Sequence, residues 1–221
     1  MTRLLLACAV LVPALVGCTP QQALIANLVP SSAVTTLLGN TQRVNDDNRK
    51  RIIELDTKGR WDELARFADE NIKKDPFTTD WWIVKGYALT QAGDHRGAIA
   101  AYGEAVRLEP DSAMAWNNLA QAHRSAGDSR RAVIVLERAM LAVRDSPMTP
   151  FLLGESYSDI RRYDEALPAY RQAVSMNPKL ALAWFGLARA YARLGRDRDA
   201  LEARRVLEKL DAKLAQRLDE R

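Results

Sequence analysis

Trp82, Trp116 and Trp184 stand 34 and 68 residues apart. Gly59, Gly93, Gly127 and Gly195 keep the same interval, at 34, 34 and 68. Ala98, Ala132, Ala166 and Ala200 follow one another every 34 residues, and Pro76, Pro110 and Pro178 repeat the pattern at 34 and 68. One register fits all four series, with units at 45–78, 79–112, 113–146, 147–180 and 181–214. A fixed period of this length constrains the fold more than any composition does, because each unit must be one small structural element that stacks on copies of itself.

The residue types say what that element is. Gly93 in "QAGDHR" and Gly127 in "SAGDSR" sit where a helix must end in a left-handed backbone, which glycine adopts without strain. Ala98 and Ala105 are small enough to let two helices cross closely, with Trp82 and Tyr102 filling the space around them. Pro110 and Pro178 stop the second helix of a pair. The expectation is an all-α chain of helix–turn–helix units sharing a continuous apolar core.

The period and its residues resemble the tetratricopeptide repeat. "TDWWIVKGYALTQAGDHRGAIAAYGEAVRLEP" carries Trp82, Gly86, Ala98, Tyr102, Ala105 and Pro110 at that family's places. The unit from 147 carries Leu153, Gly154, Tyr157, Ala166, Tyr170, Ala173 and Pro178. The resemblance covers residues 45–214 and implies a right-handed superhelical solenoid of stacked pairs. Some places depart from the pattern. Arg161 replaces the turn glycine of the fourth unit, which predicts a strained or differently capped turn. Pro150 stands in the tryptophan place of that unit and Arg144 in the preceding proline place. Thr149 as a cap with Pro150 in the first helical position predicts a late start for that helix. The stretch 144–150 is therefore expected to be the least regular joint. In the first unit Asn48 takes the tryptophan place. Beyond the repeats, Leu207, Leu210, Leu214 and Leu218 are spaced as one apolar helical face. Asp211 is placed to cap a short final helix, so 211–221 reads as a capping helix and tail.

The chain starts with one positive charge, Arg3, and the apolar run "LLLACAVLVPALVG". This is the layout of a secretory signal peptide over 1–17, and it is too short and too proline-broken for a membrane span. "LVGC", Leu15 to Cys18, resembles the lipobox of bacterial lipoproteins. The resemblance implies cleavage before Cys18, a diacylglyceryl group on its thiol and an acyl chain such as palmitate on the new amine. The alternatives are an ordinary signal peptide cut nearby or an uncleaved apolar start. Two or more chains hold a protein stably on a membrane. Thr19, where Asp would favour the inner membrane, implies a place on the outer membrane, facing the periplasm. Residues 18–44 link lipid to repeats. Thr19 and Pro20 are placed to start a short helix that ends before Pro30, a second is expected from about Ser32 to Gly39, and the apolar content predicts partial docking onto the repeats or the membrane.

Cys8 falls in the removed leader and Cys18 is taken by lipid, so no disulfide and no thiolate metal site is expected. Loss of Arg3 lowers the net charge from +4 to +3. That excess, without a basic stripe among aromatics, points to no nucleic-acid partner. His123 falls at the eleventh place, facing the core, and His95 just after a turn glycine. With no phosphate loop and no metal-ligand spacing, the chain reads as a non-enzyme that needs no cofactor beyond the lipid and takes no small-molecule substrate.

Function is then expected on the inner face. In the family the first helix of each pair lines it, which maps the groove onto Tyr87, Gln91, Asn117, Gln121, Arg124, Phe151, Glu155, Phe185, Arg189 and Arg193. Aromatics and arginines dominate protein interfaces. The alternative for Tyr87 and Phe185 is packing against the neighbouring unit. The carboxylate-gripping mode of chaperone-type repeats is disfavoured, because Asn118 fits its pattern but Ile83 and Tyr87 do not. The chain resembles pilotin lipoproteins of secretin and tight-adherence pilus assembly, and envelope adaptor lipoproteins that bring proteases or peptidoglycan hydrolases to the outer membrane. A role in outer-membrane protein assembly and a glycan-binding role remain open.

Overall fold

The backbone of this chain is organised by its turns. The computed structural model describes residues 44–219, so the leader, Cys18, the linker to residue 43 and its expected short helices lie outside the described residues. Among the described residues there are eleven α-helices and no strand. They are α1 (Asp46–Thr57), α2 (Trp61–Lys74), α3 (Thr79–Gln91), α4 (His95–Leu108), α5 (Ala113–Ser125), α6 (Ser129–Ala142), α7 (Met148–Asp159), α8 (Tyr163–Met176), α9 (Ala181–Arg193), α10 (Asp197–Leu210) and α11 (Ala212–Gln216). Each helix packs on the next, and α5, α7 and α9 also meet directly.

The tight turns inside the pairs share one geometry. In the second pair Gly93 has φ +82°, and the Asp94 amide donates back to the Leu89 carbonyl at 2.8 Å. This is the bond that satisfies an orphan carbonyl at a helix end. The same bond recurs from Arg60 to Leu55, Asp128 to His123, Arg162 to Tyr157 and Arg196 to Tyr191, each at 2.9 Å. Arg161 keeps this conformation at φ +61°, the only non-glycine residue with positive φ among those described. The expected strain is therefore taken by the side-chain-bearing residue itself. The residue after the turn then starts the second helix in one of two ways. Asp94 and Asp128 cap α4 and α6 by accepting from the Gly97 and Arg131 amides at 2.9 and 3.0 Å. Arg60, Arg162 and Arg196 instead reach forward to Glu63, Glu165 and Asp199.

Between pairs, proline and tryptophan act together. The indole Nε1 groups of Trp82, Trp116 and Trp184 donate to the carbonyls of Pro76, Pro110 and Pro178 at 3.0, 2.7 and 2.9 Å. The fourth unit lacks both partners. Its helix α7 begins at Met148, one residue later in its unit than α3, α5 and α9 begin in theirs. The expected cap is corrected: Thr149 and Pro150 lie inside the first turn, and no side chain caps α7. Pro150 costs nothing there, since the first four amides of a helix have no internal acceptor.

The apolar core forms two blocks. Val44 to α5 makes one, with Ile52, Leu55, Leu64, Val84 and Ala98 at 0–1 % exposure. The other runs from Ala120 to Ala203 and is centred on Leu136, Tyr170 and Leu187. The expected continuous core is thus divided at α5, which gives Leu119 and Ala122 to one block and Ala120 to the other. Tyr102 lies against Gly86, where a Cβ would come within 2.6 Å of its ring. Tyr170 closes on both Gly154 and Gly186, at 2.7 and 2.4 Å. At the far end Asp211 caps α11 by accepting from the Leu214 amide at 2.9 Å. The chain bends at that residue, so the four leucines do not form one face: Leu207 and Leu214 are buried and Leu210 is 38 % exposed.

Candidate partner-binding face

The first helices of successive pairs bring the fifth, ninth and thirteenth places of their units into rows. In the ninth-place row stand Tyr87, Gln121, Glu155 and Arg189, from α3, α5, α7 and α9. The rows do not present an even groove. The Tyr87 ring packs edge-on against Trp61 at 6.1 Å, and its hydroxyl donates to Asp56 Oδ1 at 2.6 Å. Burial, then the Asp56 carboxylate, pushes the phenol far above its ordinary pKa, so it stays a donor. Asn117 accepts from the Thr149 hydroxyl at 3.0 Å and Gln121 from an Arg124 Nη at 3.1 Å.

The centre of the face is a polar network. Arg124 is fully buried. Its Nε donates to Asp159 Oδ2 at 2.8 Å, and another guanidinium nitrogen lies 3.6 Å from Glu155 Oε2. Ser129 donates to the same Asp159 oxygen at 2.9 Å, and Tyr170 donates to Glu155 at 2.5 Å while also meeting Ser158 at 3.0 Å. Burial works against the Arg124 charge, but Glu155 and Asp159 outweigh it and raise its pKa. Burial and then Glu155 raise the Tyr170 phenol well above its usual value. One guanidinium thus holds two carboxylates between α5 and α7, where the two core blocks meet, and the Tyr170 and Ser129 hydroxyls donate to the same carboxylates.

This changes the expected groove set. Arg124, Glu155, Phe151 and Phe185 are buried, at 0, 4, 2 and 7 % exposure, and are corrected from partner contacts to internal packing. Phe151 lies 6.2 Å from the Tyr170 ring, and Phe185 lies beneath the Arg189 guanidinium, 5.5 Å from it. Tyr87, Asn117 and Gln121 are half-buried and already bonded within the chain. Gln91 and Arg193 are exposed, and Arg189 is half-buried above its ring. The groove mapping left out Ser129 and Tyr170, which complete the network, and Thr149, which holds Asn117. The one hint was the spacing of Arg124 and Asp159, 35 residues, one period plus one.

His123 is 8 % exposed, and burial lowers its pKa. Among the described residues, no group of His, Cys, Asp and Glu is arranged to hold a metal ion. No described helix is long and apolar enough to cross a membrane.

The tetratricopeptide-repeat family model matches residues 64–147 and 151–215. The solved structure of MamA is 24 % identical with a TM-score of 0.65, covering 75 % of this chain and 96 % of that one. MamA from Desulfovibrio magneticus RS-1 is 20 % identical with a TM-score of 0.64, covering 75 % of this chain and 93 % of that one. YrrB, described as a TPR protein with an unusual peptide-binding site, is 16 % identical with a TM-score of 0.61. That match covers 86 % of this chain and all of YrrB. At these identities the likeness is one of fold. No curated protein matches the chain.

Proposed function

The chain belongs to the tetratricopeptide-repeat family, and from that premise we propose that it is a non-enzymatic scaffold that holds a segment of another protein against α3, α5, α7 and α9. The observation that carries this reading is the inner face itself. Its central charged groups are bonded to one another, while Gln91, Arg189 and Arg193 at its two ends remain accessible. A surface whose central side chains are already held by bonds within the chain loses little entropy on binding. The peptide-binding site named for YrrB supports a peptide as the kind of occupant.

The place of action in this proposal is the periplasmic side of the outer membrane, with Cys18 as the lipid attachment point. What supports it is the run ending in "LVGC" and the Thr19 that follows. In that compartment the scaffold serves pilus or secretion-system assembly by presenting one envelope subunit to another. The deciding experiment is crosslinking in the native envelope with identification of what is captured. Recovery of a secretin or pilus component bears the reading out. Recovery of a protease or peptidoglycan hydrolase moves the protein to the adaptor role, and recovery of purified glycan strands alone removes the protein-scaffold reading. Cys18→Ser is expected to release the protein from membranes without altering its helical circular dichroism. Retention of that variant in the outer-membrane fraction overturns the anchor.

A further inference from the structure

Charge is unevenly divided along the repeats. Residues 45–112 carry 11 basic and 14 acidic side chains, whereas residues 113–221 carry 19 and 14. On the inner face the imbalance becomes local. Asp56 is engaged by the Tyr87 hydroxyl, and Glu155 and Asp159 are engaged by Arg124, Tyr170 and Ser129. Arg189 and Arg193 have no such counterpart. Among the described residues neither makes an ion pair, whereas Arg162, Arg196 and Arg204 do and Arg171 lies against Tyr191. Two guanidinium groups without ion-pair partners, side by side on one helix, attract anionic groups from solution.

The geometry narrows the anion. Arg189 and Arg193 are four residues apart on α9 and share one side of it. Their spacing along the axis is about 6 Å at 1.5 Å per residue. Alternate side chains of an extended segment lie about 6.6 Å apart on one face. The Phe185 ring lies under the Arg189 guanidinium at 5.5 Å and holds it in place, which lowers the entropy lost when a carboxylate arrives. Guanidinium groups also match carboxylates in a two-pronged geometry that an ammonium cannot offer.

We propose that the inner face at α7 and α9 takes an acidic protein segment, with two of its carboxylates, on alternate residues of an extended chain, paired to Arg189 and Arg193. This rests on the inner-face reading above and names the chemistry of its occupant. Gln91, at the other end of the face, is neutral, so the acidic part of the segment lies toward the C-terminal pairs and fixes the direction in which the segment runs.

The test uses the full chain and fluorescence anisotropy with three labelled ten-residue probes: deca-glutamate, deca-lysine and a Gly-Ser repeat. Deca-glutamate is expected to bind most tightly, and its affinity to fall at least tenfold between 50 and 500 mM salt, as charge pairing at a surface requires. Arg189→Glu combined with Arg193→Glu is expected to lower that affinity at least tenfold, and the milder Arg189→Gln with Arg193→Gln to lower it several-fold, both with unchanged helical circular dichroism. Arg198→Glu with Arg205→Glu, exposed residues of α10, should leave it within twofold. Equal binding of the three probes, or a larger loss in the α10 variant, overturns the proposal. So does binding to phosphatidylglycerol vesicles with none to deca-glutamate, which would make the patch a lipid contact. A captured native partner that crosslinks to the inner face through a neutral or basic segment overturns the acidic occupant and leaves the scaffold reading standing. Crosslinks confined to α4, α6, α8 and α10 overturn both.

Discussion

Trp116 Nε1 donates a hydrogen bond to the Pro110 carbonyl, six residues before it, at 2.7 Å. The bond ties the start of α5 to the end of the loop leaving α4. It explains why the tryptophan and proline series share one period, since each residue is half of a single joint. The fourth unit lost both halves together, with Arg144 in the proline place and Pro150 in the tryptophan place. There the link between units three and four is made by side chains on the inner helices instead, through Asn117 with Thr149 and Arg124 with Asp159.

Trp116→Phe keeps an aromatic ring and removes the donor. The expected loss is about 1 kcal/mol, the net worth of an ordinary hydrogen bond. Urea unfolding should show a lower midpoint with an unchanged slope. A midpoint equal to that of the parent protein would mean that water replaces the bond at no cost.

Arg161→Gly should stabilise the protein. Arg161 holds φ +61° in a turn where four other units use glycine. Relief of that conformation is worth about 1 kcal/mol, less what the freer unfolded chain takes back. A rise in the thermal midpoint of a few degrees is expected, and no rise would place the strain elsewhere.

Arg124→Met leaves Glu155 and Asp159 buried without their counter-charge. Breaking a buried pair by removing one partner typically costs about 3–5 kcal/mol. Both denaturant and thermal midpoints should drop sharply. Adding Glu155→Gln and Asp159→Asn to the same chain should recover a large part of the loss, because no charge is then stranded. If the triple variant is no better than the single one, packing of the arginine stem and not its charge is what the site needs.

His123 is kept neutral by burial, so its folded pKa lies below the ordinary value of about 6.5. The unfolded chain therefore takes up a proton first as the pH falls. The stability tied to this histidine is complete above about pH 6.5 and declines below it, until the folded pKa is reached. Thermal midpoints at pH 7.5 and 5.5 should differ more in the parent protein than in His123→Leu. Equal differences would show that the imidazole is solvated enough to titrate normally.

The period alone carried the fold. A 34-residue interval in glycine, alanine, tryptophan and proline states that one unit recurs, and local chemistry states that it is a helix pair, because turn, crossing and stop each need one residue type. The left-handed turn at Arg161 and the cap at Asp211 were legible for the same reason: a backbone requirement belongs to a position and its near neighbours. What the inner face offers a partner was not legible. The family mapping placed Arg124, Phe151, Glu155 and Phe185 on that face, but whether a side chain there meets solvent or another helix depends on residues 15 to 35 positions away. Asp159, Tyr170 and Ser129 decide the fate of Arg124 and Glu155, and Tyr170 of α8 lies against Phe151. Burial and charge pairing are properties of tertiary neighbours, so only the folded stack could separate the internally bonded centre from the two arginines left over at Arg189 and Arg193.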